Sequence, residues 1–437
     1  MHFLAKFKAG ETGLRSNPSA HSAATPAARS HHCMKSFLPL LITLSIQAFS
    51  AFALMAVPVL VPVEPGTPRL STAGIGAFVL IAYVGAVVGT LSAGALADRY
   101  GAIRTSQGGL ALSALGLLLA ALVPAWLMPA ALLIGLGYGP ITPASSHLLI
   151  RTTPADRRNL VFSVKQTGVP LGVALSGFLI PPLAAPLGWS WTLAALALVC
   201  TVIVVVAQQV QPDLDAPGAS DPKARAPLVL SLRAMLGQLI EPLAVIFRDP
   251  ALRILAAVSF VLSGIQLSLS SYLVTYLTQE MALTALVAGS LLGLSQIGGV
   301  TGRIVWGYLS DRLVPPLVML AVVSLVVALV SAAIGGFSLW HWVPPQWLLA
   351  ALMFLFGATA SGWNGVYLAE VARQAPPGTA GKATSGTLAL TFMGVILGAP
   401  LFGLVAASSG GFAAAFAMQA VMALGVAALL FAIQART

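Results

Sequence analysis

The chain has 437 residues, of which 58% are hydrophobic and only 8% are charged, and its mean hydropathy is +0.93. A soluble domain typically carries about 25% charged residues, so the composition excludes a soluble globular protein and indicates an integral membrane protein. The net charge of +10 comes from basic residues dispersed over many loops, and this dispersal does not indicate nucleic-acid binding.

The first 35 residues are polar and rich in Ser, Ala, Pro and His. They lack the apolar core of a secretory signal peptide. We expect residues 1–35 to form a disordered cytoplasmic tail. Met34 directly precedes the first apolar run and is therefore an alternative translation start.

Twelve apolar runs follow, each close to the length of about 20 residues that a membrane-spanning helix needs. Residues 209–250, rich in Pro, Ala, Asp and Gly, separate six runs from six and read as a flexible cytoplasmic linker. We therefore predict an all-α integral membrane protein of twelve transmembrane helices in two pseudo-symmetric six-helix bundles, residues 36–208 and 251–433. The predicted spans are 37–62, 72–96, 104–124, 128–149, 160–184, 189–208, 252–277, 286–308, 315–336, 346–368, 384–406 and 412–433.

Lysine and arginine predict the orientation of these spans. If the N-terminus is inside, the loops on that side hold nearly all of the basic residues, and the opposite side holds only Arg69. Because cytoplasmic loops carry the excess of Lys and Arg, we expect both termini in the cytoplasm and a multi-pass protein of the cell inner membrane. Two cations, Lys165 and Arg303, lie instead within apolar runs.

An internal repeat relates the two halves. VGAVVGTLSAGALADR, which begins at Val84, aligns without a gap on IGGVTGRIVWGYLSDR, which begins at Ile297, and GVPLGVALSG matches GVILGAPLFG at a slightly different offset. Two similar halves are typical of secondary transporters. The two cations break the repeat, because Arg303 aligns with Thr90 and Lys165 aligns with Thr391. Residues that depart from a symmetric scaffold are candidates for the substrate site.

The segment GALADRYGAIR resembles the G-x-L-x-D-R-x-G-R-R loop signature of the major facilitator superfamily, and GYLSDR is its degenerate second copy. The resemblance covers the twelve spans. In that family the Asp and Arg form a cytoplasmic latch that favours the outward-facing state, whereas the alternative here is plain loop solubility. Ala102 departs from the signature, which has a basic residue there. The resemblance assigns the latch to Gly94, Asp98, Arg99, Arg104, Asp311 and Arg312.

Arg303 and Lys165 lie five or six residues inside their helices, roughly 9 Å at 1.5 Å per residue. Either side chain could reach the interface by snorkelling. The alternative is that both face a cavity, as charged residues at membrane depth usually do. No carboxylate lies within either predicted helix, so these unpaired cations predict a site for an anion.

Arg303, Gly307 and Asp311 also resemble the R-x3-G-x3-D spacing of the eighth span in nitrate/nitrite porters and monocarboxylate transporters. In those proteins the arginine binds the substrate anion. Nitrate porters have a second arginine where this chain has Thr90, which counts against nitrate. An arginine with a lysine suits a carboxylate, since arginine offers paired donors and lysine a point charge.

Three further polar residues complete the predicted substrate site. His147 is either a neutral core histidine or a titratable group near the anion, because histidine changes charge near neutral pH. Asn364 and Gln266 either line the path or hold helices together. Pro140 and Pro143 are expected to break or kink the fourth span.

Other functions fit the sequence less well. It has no zinc-protease, G-x-S-x-G or P-loop motif, so we expect neither an enzyme nor a metal or cofactor. Efflux of cationic drugs typically needs a membrane-embedded acid, and the strongest polar group of the first span is Gln47. We predict a monomeric secondary carrier for a small organic anion such as a monocarboxylate, with proton or ion coupling. A proton-coupled efflux antiporter and a non-transporting sensor are the alternatives.

Overall fold

The computed structural model of the protein describes residues 26–63, 70–153, 158–215, 243–376 and 380–435. The chain separates into two compact units, Met1–Leu38 and Pro39–Thr437, and the packing described below is that of the second unit. Regular structure in the described residues is helical, without strands. The helices are α1 (Pro26–Leu60), α2 (Thr72–Tyr100), α3 (Ala102–Leu122), α4 (Leu127–Tyr138), α5 (Ile141–Thr152), α6 (Arg158–Gln166), α7 (Gly168–Leu214), α8 (Pro250–Gln279), α9 (Ala285–Arg312), α10 (Pro316–Leu339), α11 (Gln346–Ala360), α12 (Asn364–Gln374), α13 (Ala380–Ser409) and α14 (Ala413–Gln434).

Eleven helical stretches of the described chain are long and apolar enough to cross a membrane. One of them, Val164–Pro212, has 49 residues, and a straight helix of that length would be about 73 Å long. That is more than twice the hydrocarbon core of a bilayer, which is about 30 Å thick. The stretch is not straight, because Gly188 inside α7 has φ 66° and ψ −173°. Glycine alone adopts this backbone conformation readily, and it divides α7 into two segments.

Two predicted boundaries differ from the observed ones. α1 begins at Pro26, inside the segment 1–35 for which we expected disorder, and proline is a favoured first residue of a helix. α7 runs on to Leu214, inside the predicted linker 209–250. Residues 1–25 and 216–242, which hold most of the predicted tail and linker, lie outside the described residues.

The sequence repeat is present in the helix packing. A Cβ on Gly85 of α2 would overlap the carbonyl of Leu132 in α4, and a Cβ on Gly298 of α9 would overlap the carbonyl of Phe354 in α11. The two glycines are matched in the repeat, so the two carbonyls are matched as well. Helices α2 and α4 therefore pack together as α9 and α11 do. A residue of α2 is equivalent to the residue 213 positions later in α9, and a residue of α4 to the residue 222 positions later in α11.

Three of the membrane-spanning stretches are interrupted. α4 and α5 are separated by Gly139 and Pro140, as the prolines predicted, and Thr167 separates α6 from α7. The third interruption, residues 361–363, separates α11 from α12. Each interruption leaves backbone groups without their intrahelical partners, so each one needs donors or acceptors from elsewhere.

The half formed by α1–α7 contacts the half formed by α8–α14 near one end of the bundle, which the predicted topology places outside. There a Cβ on Gly76 of α2 would lie 3.0 Å from Pro400 Cα of α13, and a Cβ on Gly177 of α7 would overlap the carbonyl of Gly289 in α9. Such contacts require residues without side chains at the crossing.

Two glycines towards the opposite end of the same helices lack such contacts. Apart from the backbone of its own helix, no described atom lies within 4 Å of a Cβ built on Gly94 of α2 or on Gly307 of α9. These equivalent glycines thus make no close contact with another helix in this conformation, although glycine lowers the stability of a helix interior.

Candidate functional site

The Arg303 guanidinium joins two helix interruptions. Its Nε donates a hydrogen bond to the Ser361 carbonyl at 3.1 Å, and its Nη1 donates to the Gln166 carbonyl at 2.6 Å. Ser361 belongs to the same half as Arg303, whereas Gln166 belongs to the other. The half-buried side chain is therefore directed at two backbone carbonyls within the bundle.

Both carbonyls are available because the helices break there. An α-helical bond to the Gln166 carbonyl would come from residue 170, but Pro170 has no N–H. The Ser361 carbonyl lies in the interruption between α11 and α12. Since a buried carbonyl needs a donor, Arg303 satisfies two groups that the helices leave free. Among the described residues we find no hydrogen-bond partner for its Nη2, which carries two further N–H donors.

The charge of Arg303 is not neutralised by a carboxylate in the described residues, and neither is that of Lys165. The ion pair found there is Arg373 with Glu370 at 2.6 Å. A buried charge without a counter-ion is costly. An anion that enters this region would therefore gain from both cations.

Lys165 is fully buried and lies with partners from its own half. Its Nζ donates to the Thr142 carbonyl at 3.3 Å, and Gln47 Nε2 donates to Thr142 Oγ1 at 3.0 Å. The Oε1 of Gln47 is buried and has no hydrogen bond to the described residues. Lys165 directly precedes Gln166 in the chain, but the two cations are held by different carbonyls rather than by a shared partner.

Asn364 and Gln266 contact each other beside Arg303. Asn364 Nδ2 donates to Gln266 Oε1 at 3.2 Å and approaches the Ser361 carbonyl at 3.4 Å. The structure thus brings three residues of the predicted substrate site, Arg303, Asn364 and Gln266, together around one carbonyl. His147 lies on α5, one residue after Ser146, and its side chain is outside the described part of the structure.

The arginines of the predicted latch stack on neighbouring tyrosines. The Arg99 guanidinium lies 5.4 Å from the ring centroid of Tyr100, and that of Arg312 lies 5.2 Å from that of Tyr308. Both arginines are exposed, as are Arg104 and Asp311. The Asp98 side chain lies outside the described part, so its partner is not identified.

Asp215, which our sequence analysis missed, holds the loop of this segment. Its carboxylate accepts hydrogen bonds from the backbone N–H of Ile103 at 3.1 Å and of Arg104 at 3.0 Å. These N–H groups are unsatisfied donors at the start of α3, where a negative charge is favourable. Gly101 has φ 93° and lies against the same carboxylate, so a glycine is required at this turn.

Tyr138 is a second residue that we missed. It is the last residue of α4 and it is half-buried. Its ring packs edge-on against Tyr83, with centroids 6.2 Å apart and planes at 63°. No motif marks either tyrosine, but they lie on α2 and α4, the two helices that pack against each other in the repeat.

A helical membrane protein has the features of a secondary transporter when it has two matching halves and an arginine that reaches from one half to the other, here without a carboxylate partner in the described residues. The Major Facilitator Superfamily profile matches residues 40–343, which is more than half of the chain. The protein therefore belongs to this family, as the loop signature predicted, and it is a membrane transporter and not an enzyme.

Two curated relatives are carriers of aromatic acids. The chain is 28% identical to a gallate transporter of Pseudomonas putida over 325 residues, which cover 69% of this chain and 72% of the relative. It is 32% identical to the 4-hydroxybenzoate transporter PcaK of Pseudomonas aeruginosa over 139 residues, which cover 31% of each chain. Both names describe small organic anions as cargo of those proteins.

A solved structure confirms the fold. The peptide transporter POT superposes with a TM-score of 0.73 at 18% sequence identity, and the match covers 92% of this chain and 94% of that one. At this identity the similarity concerns the fold alone.

Proposed function

We propose that this protein is a secondary carrier that moves a small organic anion, such as a monocarboxylate, by alternating access. The observation that carries the proposal is the Arg303 guanidinium, which binds carbonyls of both halves and has no carboxylate partner in the described residues. A carboxylate offers two acceptor oxygens and a charge, so it is a stronger partner for arginine than a peptide carbonyl.

The substrate would take the place of the Gln166 carbonyl on Arg303. Its carboxylate would accept from Nη1 and from Nη2, for which the described residues offer no partner, while Nε stays on the Ser361 carbonyl. The bond between the halves would then be replaced by a substrate that is bound from one half. Lys165, one residue from Gln166, adds positive potential on the other side of the same region.

The twelve-span arrangement is part of this proposal. Gly188 divides the 49-residue stretch into a fifth and a sixth span, and the carrier then has six spans on each side of the segment 216–242. An even count places both termini on one side, and the excess of Lys and Arg in the loops of that side supports the cytoplasm and, for a bacterial-type carrier, the inner membrane. We propose that the carrier is a monomer, since both halves of the site come from one chain.

We propose that the predicted latch closes the end of the bundle towards which Gly94 and Gly307 lie. Both glycines have free space around them, which the neighbouring half would fill when that end closes. Asp98, Arg99 and Arg104 would then form contacts across the gap, and Asp311 and Arg312 would do so from the second copy. Asp215 positions the start of α3 for this role.

Energy would come from proton or ion coupling. His147 lies on the same short helix as Thr142, whose carbonyl binds Lys165. Histidine is the side chain whose unperturbed pKa lies near physiological pH, and His147 is therefore our candidate for the proton carrier.

Uptake by the purified protein in proteoliposomes tests the proposed function. We would measure accumulation of labelled benzoate, propanoate, nitrate and a lipophilic cation, with and without an inward proton gradient. We expect uptake of at least one carboxylate, and little of nitrate or the cation. Uptake of the cation alone, driven by an opposite gradient, would instead establish the efflux antiporter.

A further inference from the structure

We propose that Tyr138, backed by Tyr83, forms a subsite for an aromatic ring, so that the carrier selects carboxylates that carry such a ring over aliphatic ones. This inference rests on the proposed function, because it adds a ring contact to the anion contact of Arg303. It concerns the half of the site that faces Arg303, to which the sequence assigned only a lysine and a histidine.

The first step is the position of Tyr138. It ends α4 directly before the interruption at Gly139 and Pro140. It is half-buried, and we find no hydrogen bond from its hydroxyl to a described residue. Four residues on, the Thr142 carbonyl accepts from Lys165 Nζ, and the carbonyl of the residue after that lysine accepts from Arg303 Nη1. These contacts place a molecule held by Arg303 near the end of α4, which carries this ring.

The second step is the support of the ring. Tyr83 of α2 is nearly fully buried, at 8% exposure, and meets Tyr138 edge-on. Such edge-to-face pairs are favourable and restrict the orientation of both rings. Tyr138 is thus held on one side by Tyr83, and its side chain as a whole stays only half-buried.

The third step is the departure from symmetry. Counting from the matched positions of the two halves, Ala360 is equivalent to Tyr138 and Gln296 is equivalent to Tyr83. The half that carries Arg303 therefore has a small and a polar residue where the other half has two aromatic rings. The wall that carries Arg303 also holds the amides of Asn364 and Gln266, and the facing wall adds two aromatic rings to Lys165.

A ligand that matches both walls carries a carboxylate and an aromatic ring a few ångströms apart. Its carboxylate binds Arg303 and its ring packs against Tyr138 in an offset or edge-on arrangement. A short aliphatic carboxylate can make the first contact only. Aromatic pairs add about 0.5–1.5 kcal/mol beyond area burial, which corresponds to roughly two- to twelvefold in affinity.

The test compares benzoate with propanoate in Tyr138→Leu and Tyr138→Phe. We would measure both apparent affinities by competition in proteoliposomes, and the quantity of interest is their ratio, in which losses of folded protein cancel. We expect the preference for benzoate to fall about three- to tenfold in Tyr138→Leu, and to stay within about threefold of the parent in Tyr138→Phe, which keeps the ring. Trp347→Leu, an exposed aromatic at the start of α11, is the control and should keep the parental ratio.

Two results would overturn the inference. An equal loss of affinity for both acids in Tyr138→Leu would assign the tyrosine to packing, and unchanged affinities for both acids would remove it from the site. Either result leaves the proposed function intact, provided that the parent protein transports carboxylates. If the parent transports neither acid, the proposed function has failed as well.

Discussion

The two halves of the molecule solve one packing problem with different side chains. In the first half, Thr90 Oγ1 donates to the Gly139 carbonyl at 3.0 Å, and in the second half Arg303 Nε donates to the Ser361 carbonyl at 3.1 Å. The two donors are aligned in the sequence repeat, and the two acceptors occupy equivalent places after α4 and α11. Each donor satisfies a carbonyl that a helix interruption has freed. A neutral threonine is sufficient for this task, so the charge and the length of Arg303 serve something further.

The Gln166 carbonyl, which Arg303 binds in the other half, also has no counterpart in the repeat. In the alignment of GVPLGVALSG with GVILGAPLFG, Pro170 corresponds to Ile396, and Gln166 therefore corresponds to Phe392. Ile396 has an N–H and lies within the continuous helix α13, so the Phe392 carbonyl keeps its helical partner. The extra donor thus occurs in one half and the extra acceptor in the other, where they meet. Paired departures of this kind support the candidate site more specifically than either cation alone.

The largest effect is expected from substituting Arg303, the charged member of the matched pair. Arg303→Ala removes the cation, and anion uptake should fall at least about a hundredfold, since each charge-assisted hydrogen bond is worth about 1.5–3 kcal/mol. Arg303→Lys keeps the charge without the paired donors, and affinity should fall roughly ten- to a hundredfold. Both are measured as initial rates over a range of substrate concentrations in proteoliposomes.

Thr90→Ala is the matched control for that experiment. It removes the equivalent neutral hydrogen bond, worth about 1 kcal/mol, and should lower the melting temperature while substrate affinity stays within about threefold. If Arg303→Lys transports every carboxylate as well as the parent does, the arginine is a snorkelling residue and binds no substrate.

Turnover should fall to a similar extent when either of two equivalent latch glycines, one in each half, is replaced. Gly94→Leu and Gly307→Leu place a side chain where this structure has free space, so both variants should fold, but the added bulk should prevent closure. Overpacking costs about 1–3 kcal/mol, so turnover should fall about tenfold to a hundredfold with little change in affinity. Gly425→Leu is the control, because Gly425 of α14 also has free space around it but belongs to no latch. Normal turnover in both latch variants would remove these glycines from the closure.

A smaller effect is expected from restoring the missing N–H. Pro170→Ala gives the Gln166 carbonyl a helical donor, as Phe392 has, and so weakens its bond to Arg303. If the substrate competes with that carbonyl, its apparent affinity should rise roughly two- to fivefold, the effect of about one neutral hydrogen bond or less. Equilibrium binding by calorimetry measures this change. Pro186→Ala, an exposed position on α7, should leave binding as it is, and a fall in affinity in Pro170→Ala would exclude competition.

The smallest effect concerns coupling. His147→Gln should flatten the pH dependence of uptake between about pH 5 and 8, where histidine titrates, and should change the maximal rate only modestly. Uptake at a series of external pH values, with the membrane potential clamped, gives the profile. A profile that keeps the parental shape would return His147 to a structural role.

Most of the fold was predictable because membrane helices leave long apolar runs. The run 104–124 became Ala102–Leu122, and 286–308 became Ala285–Arg312, since every span must satisfy its backbone internally. The site was predictable only where a side chain was out of place in hydrocarbon, as for Arg303. The residue type of Gln166 does not indicate that its backbone carbonyl lacks a helical donor. The indication is Pro170, four residues later, which has no N–H. Tyr138 escaped notice because an aromatic residue in an apolar run suggests ordinary packing.

The bond from Arg303 to the Gln166 carbonyl also affects which conformation the carrier populates when no substrate is bound. A hydrogen bond from a charged donor contributes about 1.5–3 kcal/mol, and this one links the two halves in the conformation seen here. If the opposite conformation lacks it, the empty carrier populates the present one about ten- to a hundredfold more than it otherwise would. A bound anion that takes over the guanidinium removes this bias. Substrate would then raise the rate at which the halves exchange, and an empty carrier would return slowly.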